Sequence, residues 1–312
     1  MSSRIPHLLE QYLALPPEAA LILLTSVLGA SSNWLVLRFL YAQLKLTASS
    51  SPAAEQAEAG YEGSTPANGR TGGSLGVALV SFMRDGAFWR DGAGRMGLDL
   101  DAMGRGGRFA FVDGLTGLFS GEEGKSVVGG GRPDGVLRSS KVRDVEAAIV
   151  TALGQLRADR KVLIIDQLDV LLAASEEDVT STSLSVMLLS LREVWTTLTS
   201  MSSQTSQLTL TQSVHSTLLT LSADHPLLHS QATTLEREHE SLVLGQAHAA
   251  DRVFALRMLD TGTAKDVSGV VRITRGGGAV DDAGENTEDD EGKEYLYHVA
   301  GDGGVRVFER GT

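Results

Sequence analysis

The run "LILLTSVLGASSNWLVLRFL", Leu21–Leu40, constrains the chain more than any other stretch, because it is almost wholly apolar yet interrupted at its centre. From Ala19 to Leu37 there is no charge, and an unbroken run of ~17–20 apolar residues is long enough to cross a membrane. Here Thr25, Ser26, Gly29, Ser31, Ser32 and Asn33 divide the run into a strand-length piece and a helix-length piece. The pattern therefore predicts a buried strand, a turn and a buried helix beginning near Trp34, not a membrane span.

A strand that turns directly into a helix is how phosphate-binding loops are built. There the turn reads G-x-x-x-x-G-K-[ST], its backbone N–H groups cradling phosphates and its lysine reaching the β- and γ-phosphates. Laid on this chain, Leu24 takes the first glycine, Gly29 keeps the second, Ala30 replaces the lysine and Ser31 keeps the hydroxyl. Gly29, Ser31 and the helix N-terminus could still attract an anion. Without the lysine, however, the charge that faces the transferred phosphate is gone, and phosphoryl transfer rests mainly on such electrostatics. A turn that serves packing outweighs a hydrolytic site.

The second ordered feature is "KVLIIDQLDVLL", four apolar residues ending in Asp166, where a nucleotide-hydrolysing domain places the carboxylate that holds Mg²⁺. Apolar runs ending in Asp are common at buried strand ends, so the weight lies in the order of the two features along the chain. Gln167 follows Asp166 and offers no acid. The end of the strand that follows the phosphate-loop-like turn, where a catalytic glutamate would be needed, reads "SFMRDGAFW" and supplies Asp85 as its only carboxylate, beside Arg84, which could pair with it. The skeleton of a nucleotide-binding domain is present and the catalytic set is not.

Between these features strands and helices alternate. Strands are expected at Leu21–Leu24, Gly76–Phe82, Arg108–Phe119, Lys161–Asp166 and Ser216–Asp224. Helices are expected at Lys141–Arg157, along the stripe Leu184, Met187, Leu188, Leu191, Trp195 and Leu198, and at Thr233–Ala249. Then "RVFALRML" and "GVVRITRG" read as an antiparallel pair, and "EYLYHVAGDGGVRVFERG" as a terminal hairpin turning at Gly301–Gly304. This predicts one α/β domain over residues 8–310, a mostly parallel central sheet flanked by helices with an antiparallel C-terminal extension. Residues 47–73 and 279–294 read as disordered inserts and 120–140 as a loose loop, all without apolar periodicity. Eight acids against Lys293 between Asp281 and Glu294 contribute -7 of the net charge of -12, so acidity says little about partners.

Other chemistry is sparse. The chain has no cysteine, which excludes disulfides and thiolate zinc sites. Its seven histidines show no tight ligand spacing and read as surface residues, so no metal and no cofactor is expected. "GGGR" (Gly129–Arg132) and "RGGG" (Arg275–Gly278) read as flexible loops. Glu10 and Glu18 lie where a signal peptide would be apolar. Arg84, Arg90, Arg95, Arg105 and Arg108 lie close in sequence; Arg84, Arg90 and Arg105 are the candidates for an RNA-facing surface, against the plainer reading of a solvated helix face.

From about Leu8 to Arg310 the chain resembles the sixth subunit of the Elongator complex. The stretches that carry this are "VALVSFMRDGAFWRDGAGRMGLDLD" (Val77–Asp101), "GRFAFVDGLTGLF" (Gly107–Phe119), "KVLIIDQLDVLLA" (Lys161–Ala173) and "LDTGTAKDVSGVVRITRGG" (Leu259–Gly277). The last also resembles the tails of other RecA-type ATPases. The resemblance implies a RecA-like fold without a working Walker A lysine. It implies assembly with the fourth and fifth Elongator subunits into a heterohexameric ring that binds tRNA and supports modification of the wobble uridine, U34, in cytoplasm and nucleus. It lends no catalytic residue. Two other readings stand beside it: an active RecA-type ATPase of recombination or repair, which Ala30 disfavours, and a membrane-associated scaffold, which the polar centre of Ala19–Leu37 disfavours.

Overall fold

Alternation within each central strand sends successive side chains to opposite faces of one sheet. In the strand Ala20–Ser26, Leu21 and Leu23 pack into one hydrophobic cluster, Ile22 and Leu24 into another. Val77 and Leu79 divide from Ala78 and Val80 in the same way, and Val162 and Ile164 from Leu163 and Ile165. Strands buried on both faces read as continuous apolar runs, and these central strands do.

The computed structural model describes residues 4–45, 74–119, 134–175, 179–193, 214–259, 264, 266–279 and 292–309. The strands are β1 (Ala20–Ser26), β2 (Leu75–Ser81), β3 (Phe109–Asp113), β4 (Asp134–Val136), β5 (Arg160–Asp166), β6 (Val214–Ser222), β7 (Arg252–Arg257), β8 (Gly269–Arg275), β9 (Lys293–Val299) and β10 (Val305–Glu309). They form a single sheet in the order β10-β9-β8-β7-β1-β6-β5-β2-β3-β4. From β7 to β4 all neighbours are parallel, and β8, β9 and β10 add antiparallel strands beyond β7.

The helices are α1 (Glu10–Leu13), α2 (Asn33–Lys45), α3 (Gly86–Arg95), α4 (Leu100–Arg105), α5 (Thr116–Phe119), α6 (Val142–Gln155), α7 (Val170–Ala174), α8 (Ser181–Glu193), α9 (His225–His229) and α10 (Thr234–Ala249). Residues of α1–α4 pack with Val271, Ile273, Tyr295 and Tyr297 of the antiparallel strands on one face. Residues of α6, α7, α8 and α10 cover the other. Among the described residues no helix is long and apolar enough to cross a membrane, and Ala19–Leu37 divides between β1 and α2.

Several local expectations change. The strand expected over Arg108–Phe119 ends at Asp113, whose carboxylate accepts the Leu115 and Thr116 N–H groups at 2.9 and 2.7 Å and turns the chain into α5. The Gly-rich stretch after β2 forms α3 and α4, started by Asp85 and Asp99, which accept the N–H groups of Phe88 and Ala102, both at 2.9 Å. The loose loop 120–140 contains β4, and Lys293 and Glu294 of the acidic insert belong to β9. The glycines of "RGGG" serve close packing, not flexibility: a Cβ on Gly276 would collide with the Ala250 carbonyl oxygen at the end of α10. Residues 47–73, 120–133 and 280–291 of the expected inserts, "GGGR", Trp195 and Leu198 lie outside the described residues.

Candidate functional site

The parallel strands β1, β2, β5 and β6 end at one edge of the sheet, in Ser26, Ser81, Asp166 and Ser222. Open parallel sheets bind ligands at this edge. β6 separates β1, which carries the phosphate-loop-like turn, from β5, which carries Asp166.

The turn itself, Val27–Ser32, is closed by the chain's own atoms. The Val27 N–H donates to Leu256 O at 3.3 Å and the Ala30 N–H to Val27 O at 2.9 Å. The Leu28 N–H donates to Oδ1 of Asp224, just past β6, at 2.7 Å, and Ala223 N–H donates to Ser26 O at 2.8 Å. A carboxylate thus occupies one of the amides that a phosphate loop would offer its ligand. Gly29 has φ +91°, a left-handed conformation that suits glycine, and a Cβ there would lie 3.2 Å from Met258 Sδ. Ala30, at the lysine position, is fully buried in the cluster under α2. Ser31 is exposed, and its Oγ accepts the Asn33 N–H at 3.3 Å.

Asp166 is fully buried, and both carboxylate oxygens are engaged. Ser81 Oγ donates to Oδ2 at 2.7 Å and Thr220 Oγ1 to Oδ1 at 3.0 Å. Burial raises its pKa from 3.8 to about 6, against the lowering effect of those two hydroxyls; nearby Asp169 adds to the rise and Arg84 opposes it. Gln167, at φ +56°, donates its N–H to Thr220 Oγ1 at 2.8 Å and accepts Ser222 Oγ–H on Oε1 at 2.9 Å. Asp169 Oδ2 accepts the Ser222 N–H at 3.3 Å and stands 3.9 Å from His239 Nδ1. Burial raises the Asp169 carboxyl too. His239 is buried, with Nε2 2.9 Å from Ser222 O, so it is not the surface residue its spacing suggested.

Magnesium and a nucleotide triphosphate fit this arrangement poorly. An ion at Asp166 would have to reach a carboxylate fully buried between Ser81 and Thr220, and a phosphate in the turn would meet the Asp224 carboxylate with no lysine to offset it.

The three candidate RNA-facing arginines do not form one cluster. Arg84, just past β2, is exposed and lies over the Phe88 ring with its guanidinium carbon 5.1 Å from the centroid; Asp85 is committed to the start of α3 instead. Arg90 pairs with Asp101, Nε to Oδ1 at 2.9 Å. Arg105 is exposed at the end of α4, where the chain enters β3, at the opposite end of the sheet from Arg84. Arg108 ties β2 to α2, donating to Leu75 O at 3.2 Å and Leu44 O at 2.7 Å.

No protein-family model matches the chain, and no curated protein matches it. Among solved structures it is similar to a KaiC-like protein from the hyperthermophilic archaeon Pyrococcus horikoshii, at 16% identity and TM-score 0.50 over 99% of this chain and 98% of that one. It is also similar to an uncharacterized Pyrococcus horikoshii protein solved in complex with an unknown peptide, at 12% identity and TM-score 0.53 over all of both chains. The chain has a RecA-type fold. At these identities the likeness extends to the fold alone.

Proposed function

We propose that this RecA-type chain is a non-catalytic ring subunit of a tRNA-modifying complex, the counterpart of the sixth Elongator subunit. It would form a heterohexamer with the fourth and fifth subunits, bind tRNA and support wobble uridine modification in cytoplasm and nucleus. The observation that carries the non-catalytic part is the bond from the Leu28 N–H to Asp224, with Ala30 buried where the lysine would stand. A turn satisfied from within has no need of nucleotide to hold its shape. The stretches Val77–Asp101 and Gly107–Phe119 carry the choice of complex. The alternative, an active RecA-type ATPase, shares the fold but finds no support in the Asp166 environment.

The test is purification from native extract of the tagged full chain. Two further RecA-type chains in equal amounts, with tRNA bound by the assembly, are expected. A chain that purifies free of such partners, or that hydrolyses ATP by itself, refutes the proposal.

A further inference from the structure

The sheet has a second edge, opposite Ser26, Ser81, Asp166 and Ser222, where the parallel strands begin. Six basic residues gather along its β3–β2–β5 part. Lys45 and Arg105 lie in the last turns of α2 and α4, Arg108 just before β3, Arg157 just past α6, and Arg160 and Lys161 at the start of β5. Local contacts draw them together. Arg108 donates to Leu44 O, beside Lys45, and to Leu75 O, and Leu75 and Gly76 pair in register with Arg160 and Lys161. The Arg157 N–H donates to Gly107 O at 2.8 Å, and a Cβ on Gly107 would stand 2.8 Å from the Arg157 Cγ. Neighbouring strands are ~4.8 Å apart, so the backbones of β3 and β5, with β2 between them, are ~10 Å apart.

The acids that flank these residues in sequence are already used. Asp159 Oδ2 accepts both the N–H and the hydroxyl of Ser74, at 2.8 and 3.1 Å, Asp99 starts α4, and Asp101 pairs with Arg90. Lys45, Arg105 and Arg157 are exposed, and none of the three has a carboxylate partner among the described residues. A basic residue in a last helical turn also answers the helix dipole, which accounts for Lys45 and Arg105. The end of α6 is met instead by Lys161, whose Nζ donates to Leu153 O at 2.9 Å, so Arg157 is left without that role. Elsewhere arginines are spent inside the fold: buried Arg38 donates to Trp34 O and Gly303 O, each at 3.0 Å. Among the described residues, the exposed large apolar side chains stand on the opposite edge, as Leu28 and Phe88 do, or on the outer helices, as Val186 and Leu244 do. A fixed cationic surface without apolar groups suits a run of phosphates better than a lipid surface or a protein hot spot, both of which draw on apolar burial.

We infer that this edge, where β3, β2 and β5 begin, docks the phosphate backbone of RNA. Lys45, Arg105 and Arg157 make the contacts, and Arg108, Arg160 and Lys161 fix further positive charge behind them. With no exposed ring among the described residues at this edge, it holds backbone and does not read bases. The choice of RNA rests on the proposed function, whereas the face is the reverse of the edge at which open parallel sheets bind ligands.

The experiment is fluorescence anisotropy of labelled tRNA titrated with the purified full chain at about 50 and about 200 mM salt. The parent is expected to bind, and more weakly at the higher salt. The triple variant Lys45→Gln, Arg105→Gln, Arg157→Gln is expected to bind at least about tenfold more weakly at the lower salt, with a salt slope shallower by about two to three. Arg306→Gln, exposed on β10, is expected to stay within about twofold of the parent. Should the triple variant melt early, the three single variants replace it, each with an expected loss of about two- to threefold. No saturable binding by the parent at the lower salt, or variants that bind as the parent does, overturns the inference. So does an equal loss in Arg306→Gln. Tighter binding to vesicles of phosphatidylserine and phosphatidylcholine than to tRNA, lost in the triple variant, would make the edge a membrane face and overturn it too. Partners that co-purify with the triple variant separate the two readings. An intact ring with unchanged tRNA affinity ends this inference alone, whereas a chain that purifies by itself yet binds tRNA through these residues ends only the ring.

Discussion

Replacing Asp166 by Asn should stabilise the protein at neutral pH. In a working nucleotide site this carboxylate would be held charged by a metal ion; here it is buried between Ser81 and Thr220 and its pKa is raised from 3.8 to about 6. A group whose folded pKa lies above its unfolded value adds stability that is fully present below the unfolded pKa and is lost as pH rises through the folded one. The loss therefore falls between about pH 4 and pH 6. At 1.36 kcal/mol for each pKa unit, it reaches about 3 kcal/mol by pH 7.5, an upper figure. Asn carries no charge to desolvate, and it can accept the Thr220 hydroxyl while its amide faces Ser81. Urea unfolding followed by fluorescence at pH 4.5, 5.5, 6.5 and 7.5 gives the difference in stability between variant and parent. That difference should grow with pH to about 2–3 kcal/mol and then level off. A variant less stable than the parent at pH 7.5, or a difference independent of pH, would refute the reasoning.

Other outcomes follow from the same edge of the sheet. The purified chain should release no phosphate from ATP, and Ala30→Lys should not supply turnover but lower the melting temperature, because the site is fully buried; turnover in the parent that disappears in Asp166→Ala would contradict this. Asp224→Ala should cost about 1 kcal/mol in urea unfolding, as the loss of a helix cap does, with Asp224→Asn recovering part of it; unchanged stability in the alanine variant would dismiss the internal clasp. If the chain works in the proposed ring, tRNA affinity of that assembly should fall and its salt dependence become shallower in Arg84→Ala or Arg105→Ala, but not equally in both, since they stand at opposite ends of the sheet. Arg90→Ala should act mainly by losing the Asp101 pair, and unchanged tRNA binding in all three variants would remove this part of the chain from the RNA face.

The parallel core was legible because its signal is local. "LILL", "GVALVS" and "KVLIID" are apolar runs of strand length, and the amphipathic helices between them have a clear period. The antiparallel extension was legible for the same reason. The helices α3 and α4 were not, because their glycines each cost about 1 kcal/mol of helix preference. Tertiary packing overrides that preference: Trp89 is completely buried and Ala93 almost so. β4 escaped notice because three residues show no period and are strand only through their pairing with β3. At the candidate site, Gly29, Ala30, Ser31 and Asp166 could be placed by spacing. Asp224 could not, since it meets Leu28 from 196 residues away and nothing near either residue marks the contact. His239 and Arg38 are similar cases, a surface-type residue by composition whose burial depends on distant partners.

The ten-stranded sheet has two rims, and both are poor templates for a foreign strand. β4 offers three residues, ~10 Å of ladder. β10 offers five, with Arg306 and Glu309 exposed along it. Zipping two copies together edge to edge would add few hydrogen bonds and would crowd charges, the devices by which sheet proteins resist runaway polymerisation. Crowding during synthesis or heating should therefore not drive this chain into fibres through its described rims. A neighbour of the kind proposed would instead meet it through helix faces and strand-end loops, where side chains choose the partner.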